Sequence, residues 1–191
     1  MSTNPLDLLL AWRDAAAAEP EPDAMTLATA DASGCPSARI VLFRGIRRGR
    51  VCFFTNYLSK KGQDLAANPR AALVFHWPSL HRQIRLEGEV ERLTAEESDA
   101  YFASRPRGHQ LGAWASEQSQ TIAGLEIVRQ RLAEAEERFR DRPVERPSHW
   151  GGFGLDPKTI EFWTAGADRI HDREVYRRGP DGAWILSRLS P

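Results

Sequence analysis

Long apolar runs are missing from this chain, and no stretch approaches the roughly 18 consecutive apolar residues that a membrane-crossing helix needs. The N-terminus also lacks a basic region leading into an apolar core and a cleavage site, so neither a secreted nor a membrane-spanning protein is expected. Net charge is missing too. The 191 residues carry 26 positive and 26 negative side chains, so no overall field draws the chain to nucleic acid or to an anionic membrane. Cysteine is scarce: Cys35 and Cys52 sit on predicted strands without a Cys-x-x-Cys spacing, which argues against a disulfide framework or a zinc site and fits a reducing cytoplasm. Of the 26 basic residues only Lys60, Lys61 and Lys158 are lysine, a bias read first as genomic composition and second as phosphate recognition. There is no Gly-rich phosphate loop, no nucleophile elbow and no internal repeat. His76 and His81 flank a Trp-Pro turn without a third ligand, so no metal is expected. Arg47, Arg48 and Arg50 read as a solvated hairpin tip, because no aromatics interleave them as a nucleic-acid surface requires.

What is present is a succession of short alternating strands. Residues 5–18 read as a short helix, part of an N-terminal arm over 1–23 that is closed by the Glu-Pro-Glu-Pro run at 19–22. Met25–Ala30 and Pro36–Arg44 alternate about the turn Asp31-Ala32-Ser33-Gly34 and form a hairpin, followed by a strand over Val51–Asn56. Ser59 is placed to cap a short helix that ends before Asn68-Pro69. Strands resume at Ala71–Trp77 and Gln83–Leu93. Thr94-Ala95-Glu96-Glu97 is a capping box opening a helix through Ser104. Further helices are predicted over about 110–116 and 121–140, a linker over 142–147, and strands over 158–164, 169–178 and 183–189. Short strands interrupted once by helices imply a mainly β, antiparallel Greek-key barrel over 24–191 with a helical insertion at about 94–140.

Chemistry concentrates near the C-terminus, in Ile160-Glu161-Phe162-Trp163-Thr164-Ala165-Gly166-Ala167-Asp168-Arg169-Ile170-His171-Asp172-Arg173. If Asp168 to Arg173 is extended, the period of two puts Arg169, His171 and Arg173 on one face. Such a row suits a planar anionic ligand, since guanidinium offers a fixed fork of donors and imidazole exchanges a proton near neutral pH.

This stretch, with the ending Trp184-Ile185-Leu186-Ser187-Arg188-Leu189-Ser190-Pro191, resembles the C-terminal signature of the pyridoxine (pyridoxamine) 5′-phosphate oxidases. Arg39-Ile40-Val41-Leu42-Phe43-Arg44 resembles the family's strand Arg-x-Val-Leu-Leu-Lys, Phe54-Thr55 its Tyr-Thr, and Ser59-Lys60-Lys61 its Ser-Arg-Lys. Tyr101-Phe102-Ala103-Ser104-Arg105-Pro106-Arg107-Gly108-His109 is similar to its substrate motif. The resemblance implies an FMN-binding split barrel, built as a homodimer with its flavin sites at the interface. It assigns FMN to Arg39, Ile40, Val41, Leu42, Phe54, Thr55, Lys60, Lys61, Gln83, Gln118, Ser119, Trp163 and Arg173. It assigns the substrate to Arg44, Tyr101, Arg105 and His109, with Arg169 and His171 over the ring as the catalytic pair. Arg44, His109 and Thr164 stand where the family has lysine, serine and glutamine. The activity implied is oxidation of pyridoxine or pyridoxamine 5′-phosphate to pyridoxal 5′-phosphate, with O2 as acceptor and H2O2 as product. The departures keep open an oxidase of phenazine-biosynthesis type, and a non-enzymatic flavin- or haem-binding barrel is the alternative of another class.

Overall fold

The computed structural model describes residues 4–191. Helix α1 (Pro5–Ala15) begins at Asn4, whose side chain accepts from the Leu6 N–H. Leu6 and Leu9 are buried in the main core and the Trp12 ring stands edge-on to Phe162, so this part of the arm is docked on the barrel.

Strands β1 (Ala24–Ala30) and β2 (Pro36–Leu42) pair antiparallel, with Leu27 opposite Arg39. The Asp31 carboxylate closes their turn by accepting from the Ser33 and Cys35 N–H groups and the Ser33 hydroxyl. The short β3 (Ile46–Arg47) leads into β4 (Arg50–Asn56). Helix α2 (Lys60–Ala67) is capped by Ser59, whose side chain accepts from the Gly62 N–H. Next come β5 (Arg70–Trp77) and β6 (Arg82–Arg92), then the insertion α3 (Ala95–Ser104), α4 (Arg107–Ala115) and α5 (Leu125–Arg138), and finally β7 (Trp150–Thr164), β8 (Asp172–Arg178) and β9 (Trp184–Arg188). The capping box that opens α3 forms in full, with Thr94 and Glu97 each holding the other's backbone N–H.

All pairs are antiparallel, and the order runs β2-β1-β5-β6-β7-β4-β3, with β8 on β7 and β9 on β8. The Arg44 N–H donates to the Cys52 carbonyl at 2.8 Å, which brings the chain leaving β2 against β4 and closes the barrel on that side. Inside lie Leu27, Leu73, Phe75, Ile84, Leu86, Phe53 and Phe162, and a second cluster of Phe102, Leu111, Ala135, Phe139, Val144 and Trp150 seats the helices. The architecture is the antiparallel split β-barrel with a helical insertion.

Three local expectations need correction. Residues 121–124 stay outside α5, because Gly124 adopts an extended conformation immediately before the first turn. The last long strand starts at Trp150, not at Lys158. Asp168 to Arg173 is not extended: Asp168 (φ 52°) and Arg169 (φ 64°) are both left-handed, and residues 167–169 form one 3₁₀ turn before β8. The single face of Arg169, His171 and Arg173 therefore does not exist in this form.

Candidate functional site

A cavity of about 510 Å³ opens between β2, β4 and the helices. It gathers Ile40, Val41, Leu42, Arg44, Phe54, Thr55, Lys61, Tyr101, Arg105, His109 and Gln118 from the residues expected on sequence grounds. Strand β2 is an edge strand, so alternate N–H and C=O groups of its backbone point away from β1 and remain free to pair with a ligand.

One end is a buried polar knot. The Lys61 ammonium donates to the Gln118 Oε1 at 2.9 Å, the Ser59 hydroxyl at 3.2 Å and the Thr55 hydroxyl at 3.3 Å, while Thr55 donates to the same Gln118 oxygen. Burial, reinforced by the charge of Arg39, lowers the Lys61 pKa from 10.5 to about 8. A buried cation with only neutral oxygens around it is a place for an anion.

At the other end three rings form a floor: Phe54 stacks on Tyr101 at 3.9 Å between centroids and on Trp150 at 5.6 Å. Arg105, at the C-terminus of α3, lies over Trp150 at 4.6 Å, and its Nη1 is buried without a hydrogen-bond partner. Burial holds its pKa below the ordinary guanidinium value; the nearby Tyr101 opposes that shift and Arg44 adds to it. Arg44 donates from Nε to the Tyr101 hydroxyl at 2.6 Å. Arg105 also lines the cavity and has no carboxylate partner among the described residues, so its guanidinium offers charge and donors to an anionic group there.

Arg39 and Lys60 do not line this cavity. Arg39 donates to the Leu27 and Ser37 carbonyls and the Thr29 and Ser37 hydroxyls, and its nearest carboxylate is Asp64 at 3.8 Å. Lys60 reaches the buried Asp64 at 2.5 Å. Burial alone would raise the Asp64 pKa, but hydrogen bonds from Lys60 and Thr29 outweigh it and the carboxyl titrates below its usual range. Ser119 adopts a left-handed backbone (φ 73°) beside Gln118.

Gln83, Trp163, Arg169, His171 and Arg173 form a second group on the outer face of the sheet. Register places Gln83 opposite Trp163 and Trp163 opposite Arg173, one row across β6, β7 and β8. The left-handed pair Asp168-Arg169 turns the chain back so that His171 packs on the Trp163 ring at 4.6 Å. Gly166 makes the turn possible, since a Cβ there would meet the Ile170 carbonyl oxygen at 1.8 Å. The Gly166 N–H donates to His171 Nδ1 at 3.3 Å, so the neutral ring carries its proton on Nε2. Arg173 is held by the buried Glu161 at 2.7 Å and by the Ser190 carbonyl at 3.1 Å, and Arg85 takes the other Glu161 oxygen at 3.3 Å.

Asn56, Trp150 and Ser116 also line the cavity and were not among the expected residues. The signal for Asn56 was its place directly after Phe54-Thr55. Trp150 carries no local signal, since its role comes from stacking across the fold.

Two family models cover most of the chain: one described as pyridoxamine 5′-phosphate oxidase matches residues 12–139, and one described as the pyridoxine 5′-phosphate oxidase C-terminal dimerisation region matches 150–191. A pyridoxine/pyridoxamine 5′-phosphate oxidase of Bordetella avium is 55% identical over 100% of this chain and 90% of its own length. One of Cupriavidus pinatubonensis is 53% identical over 98% of this chain and 89% of its own. Among solved structures, PhzG from Burkholderia lata 383 in complex with tetrahydrophenazine-1-carboxylic acid has a TM-score of 0.92 at 32% identity, covering 98% of this chain and 93% of that one. A pyridoxamine 5′-phosphate oxidase-related, FMN binding protein from Nostoc punctiforme shares the fold, with a TM-score of 0.81 at 19% identity over all of both chains. A split barrel with an anion-seeking cavity, matched by both models and by relatives along its whole length, belongs to the pyridoxamine 5′-phosphate oxidase family.

Proposed function

We propose that the protein is an FMN-dependent oxidase that converts pyridoxine 5′-phosphate or pyridoxamine 5′-phosphate to pyridoxal 5′-phosphate, reducing O2 to H2O2. The observation that carries this is the convergence of Arg105, Arg44, Tyr101 and His109 on one cavity, where Arg105 has no carboxylate partner among the described residues. A phosphate ester supplies several acceptor oxygens to that cluster, and charge-assisted bonds of this kind contribute about 1.5–3 kcal/mol each.

The residues present fit a flavin at the same cavity. Lys61, with Thr55 and Gln118, would hold its phosphate, and the free edge of β2 at Ile40, Val41 and Leu42 would meet the polar rim of its ring. Bound FMN would supply the redox chemistry, taking a hydride from the substrate carbon and passing two electrons to O2. The protein's part is to seat the phosphate on Arg105 and Arg44 so that the substrate ring lies against the flavin. Arg169 and His171 would cover that ring and position it, the His171 Nε2–H donating a hydrogen bond to the substrate's oxygen or nitrogen.

They cannot do so from the same chain. Trp150 in the cavity and Trp163 in the outer group lie on one strand about 13 residues apart, on the order of 40 Å at ~3.3 Å per residue. We therefore assign each site to a homodimer, the second copy contributing Gln83, Trp163, Arg169, His171 and Arg173. The match of residues 150–191 to a dimerisation region supports this. No helix among the described residues is long and apolar enough to cross a membrane. The two free cysteines, Cys35 and Cys52, fit a reducing cytoplasm, where we place the enzyme.

A second function is favoured by one finding, the likeness to PhzG bound to a tetrahydrophenazine carboxylic acid, because Arg105 would receive a carboxylate as well as a phosphate. The deciding experiment mixes flavin-loaded protein anaerobically with each phosphorylated B6 vitamer and follows the visible flavin band. Bleaching that reverses with oxygen and yields pyridoxal 5′-phosphate supports the oxidase. A band unchanged by both vitamers but bleached by a reduced ring carboxylate moves the assignment to the second function, and one unchanged by every donor leaves a binding protein.

A further inference from the structure

Arg44 presents a donor set that the protein itself has half consumed. Its Nε–H goes to the Tyr101 hydroxyl at 2.6 Å, and Nη1 donates to the Phe43 carbonyl at 2.8 Å and to Asp23 Oδ2 at 3.0 Å. These three bonds use the Nε hydrogen and both Nη1 hydrogens, which fixes the guanidinium plane. Nη2 makes no hydrogen bond to the described residues, so its two N–H groups are left for whatever occupies the cavity that Arg44 lines. Asp23 is itself anchored: its carbonyl accepts from the Phe43 N–H at 2.8 Å, and its other carboxylate oxygen, Oδ1, accepts from the Arg13 Nε at 2.8 Å in the last turn of α1. The chain Arg13–Asp23–Arg44–Tyr101 thus runs from the N-terminal helix into the cavity.

We infer that Asp23 is a positioning residue for the substrate's anionic group: it orients Arg44 so that Nη2 faces the ligand, and it ties α1 to that end of the site. This rests on the oxidase assignment for its substrate but not for its geometry. A planar guanidinium gains from such orientation, whereas an ammonium, free to rotate on a flexible stem, does not.

The test has two arms on the flavin-loaded protein, with Asp23→Asn chosen because it keeps the side chain's shape. In the first arm, hydrogen exchange of the Arg44 Nε–H is followed by nitrogen-15 NMR, the resonance being identified by its loss in Arg44→Lys. Exchange is expected to quicken about fivefold or more in Asp23→Asn as the plane loosens. Unchanged exchange overturns the inference whatever the substrate proves to be. In the second arm, Asp23→Asn is expected to raise KM for pyridoxamine 5′-phosphate about tenfold, with kcat and flavin content little changed. Added to Arg44→Lys, the same substitution is expected to change KM by less than about twofold. An equal KM increase in both backgrounds overturns the inference, because Asp23 would then act through the fold and not through the Arg44 plane. Absence of turnover in the wild-type protein sinks the oxidase assignment alone, and the exchange arm still judges the role of Asp23.

Discussion

Arg105 carries the substrate assignment because it lines the cavity beside Arg44, Tyr101 and His109 with no carboxylate partner among the described residues to neutralise its charge. Arg105→Ala is expected to raise KM for the phosphate ester by about 10- to 100-fold while the purified protein stays fully yellow. Unchanged KM would place the phosphate elsewhere. Lys61 makes a second prediction, since arginines keep their charge at high pH and this ammonium, at about 8, does not. FMN affinity of the apo-protein is expected to fall as pH rises past 8, by up to about tenfold per unit, and a flat fluorescence titration between pH 7 and 9.5 would remove Lys61 from the phosphate site. The sign for stability is opposite. Between about 8 and 10.5 the unfolded chain keeps a proton that the folded apo-protein has shed, so folding becomes relatively more favourable with rising pH across that window. Arginines, lysines and a tyrosine in motif order could be seen in the sequence because their chemistry is their own. Asp23, Asp64, Glu161 and Trp150 could not, because each acts by what it touches across 20 or more residues or across a strand pair.

Strand β7 is where local propensity misleads. Gly151, Gly152, Gly154 and Pro157 all argue against a strand, yet each glycine is there because another group occupies the space of its side chain. A Cβ at Gly151 would meet the Tyr57 hydroxyl at 2.0 Å, and one at Gly152 would meet Leu93 at 2.5 Å. The strand also hides its alternation. Register slips between Glu87 and Gly88, whose partners are Thr159 and Pro157, so Lys158 is an extra residue on β7. The buried parity changes there from Phe153 and Leu155 to Ile160 and Phe162. Gly88 faces the bulge so closely that a Cβ would sit 2.1 Å from the Asp156 carbonyl oxygen. Gly88→Ala is expected to destabilise by about 1–3 kcal/mol, a melting temperature lower by about 2–10 °C. Gly108→Ala, in α4 with open space at that position, is expected to hold or raise the melting temperature. Equal melting temperatures for the two variants would mean the bulge yields without cost. The hairpins, the Ser59 cap and the Thr94 capping box, by contrast, were plain from sequence because their signals lie within four residues.

At the scale of the whole molecule, the proposed site draws on two copies: Trp150 and Trp163 sit near opposite ends of β7, and the residues grouped around each are assigned to different chains of a homodimer. Mixing offers a direct check. Arg105→Ala and Arg169→Ala chains, each nearly inactive at low substrate, are unfolded together and refolded. Half the dimers are then hybrids with one intact site, and about a quarter of wild-type activity is expected to return. No recovery would mean that both groups serve one chain's site. A single copy, for its part, buries its own main core and seats its own helical insertion. If each site is shared between two copies, the length of β7 separates being folded from being competent. At dilutions below the dimer's dissociation constant the far-ultraviolet signal would persist while turnover vanished, and activity would follow the square of chain concentration. Abundance itself would then act as a control on the reaction, with no effector and no change of fold.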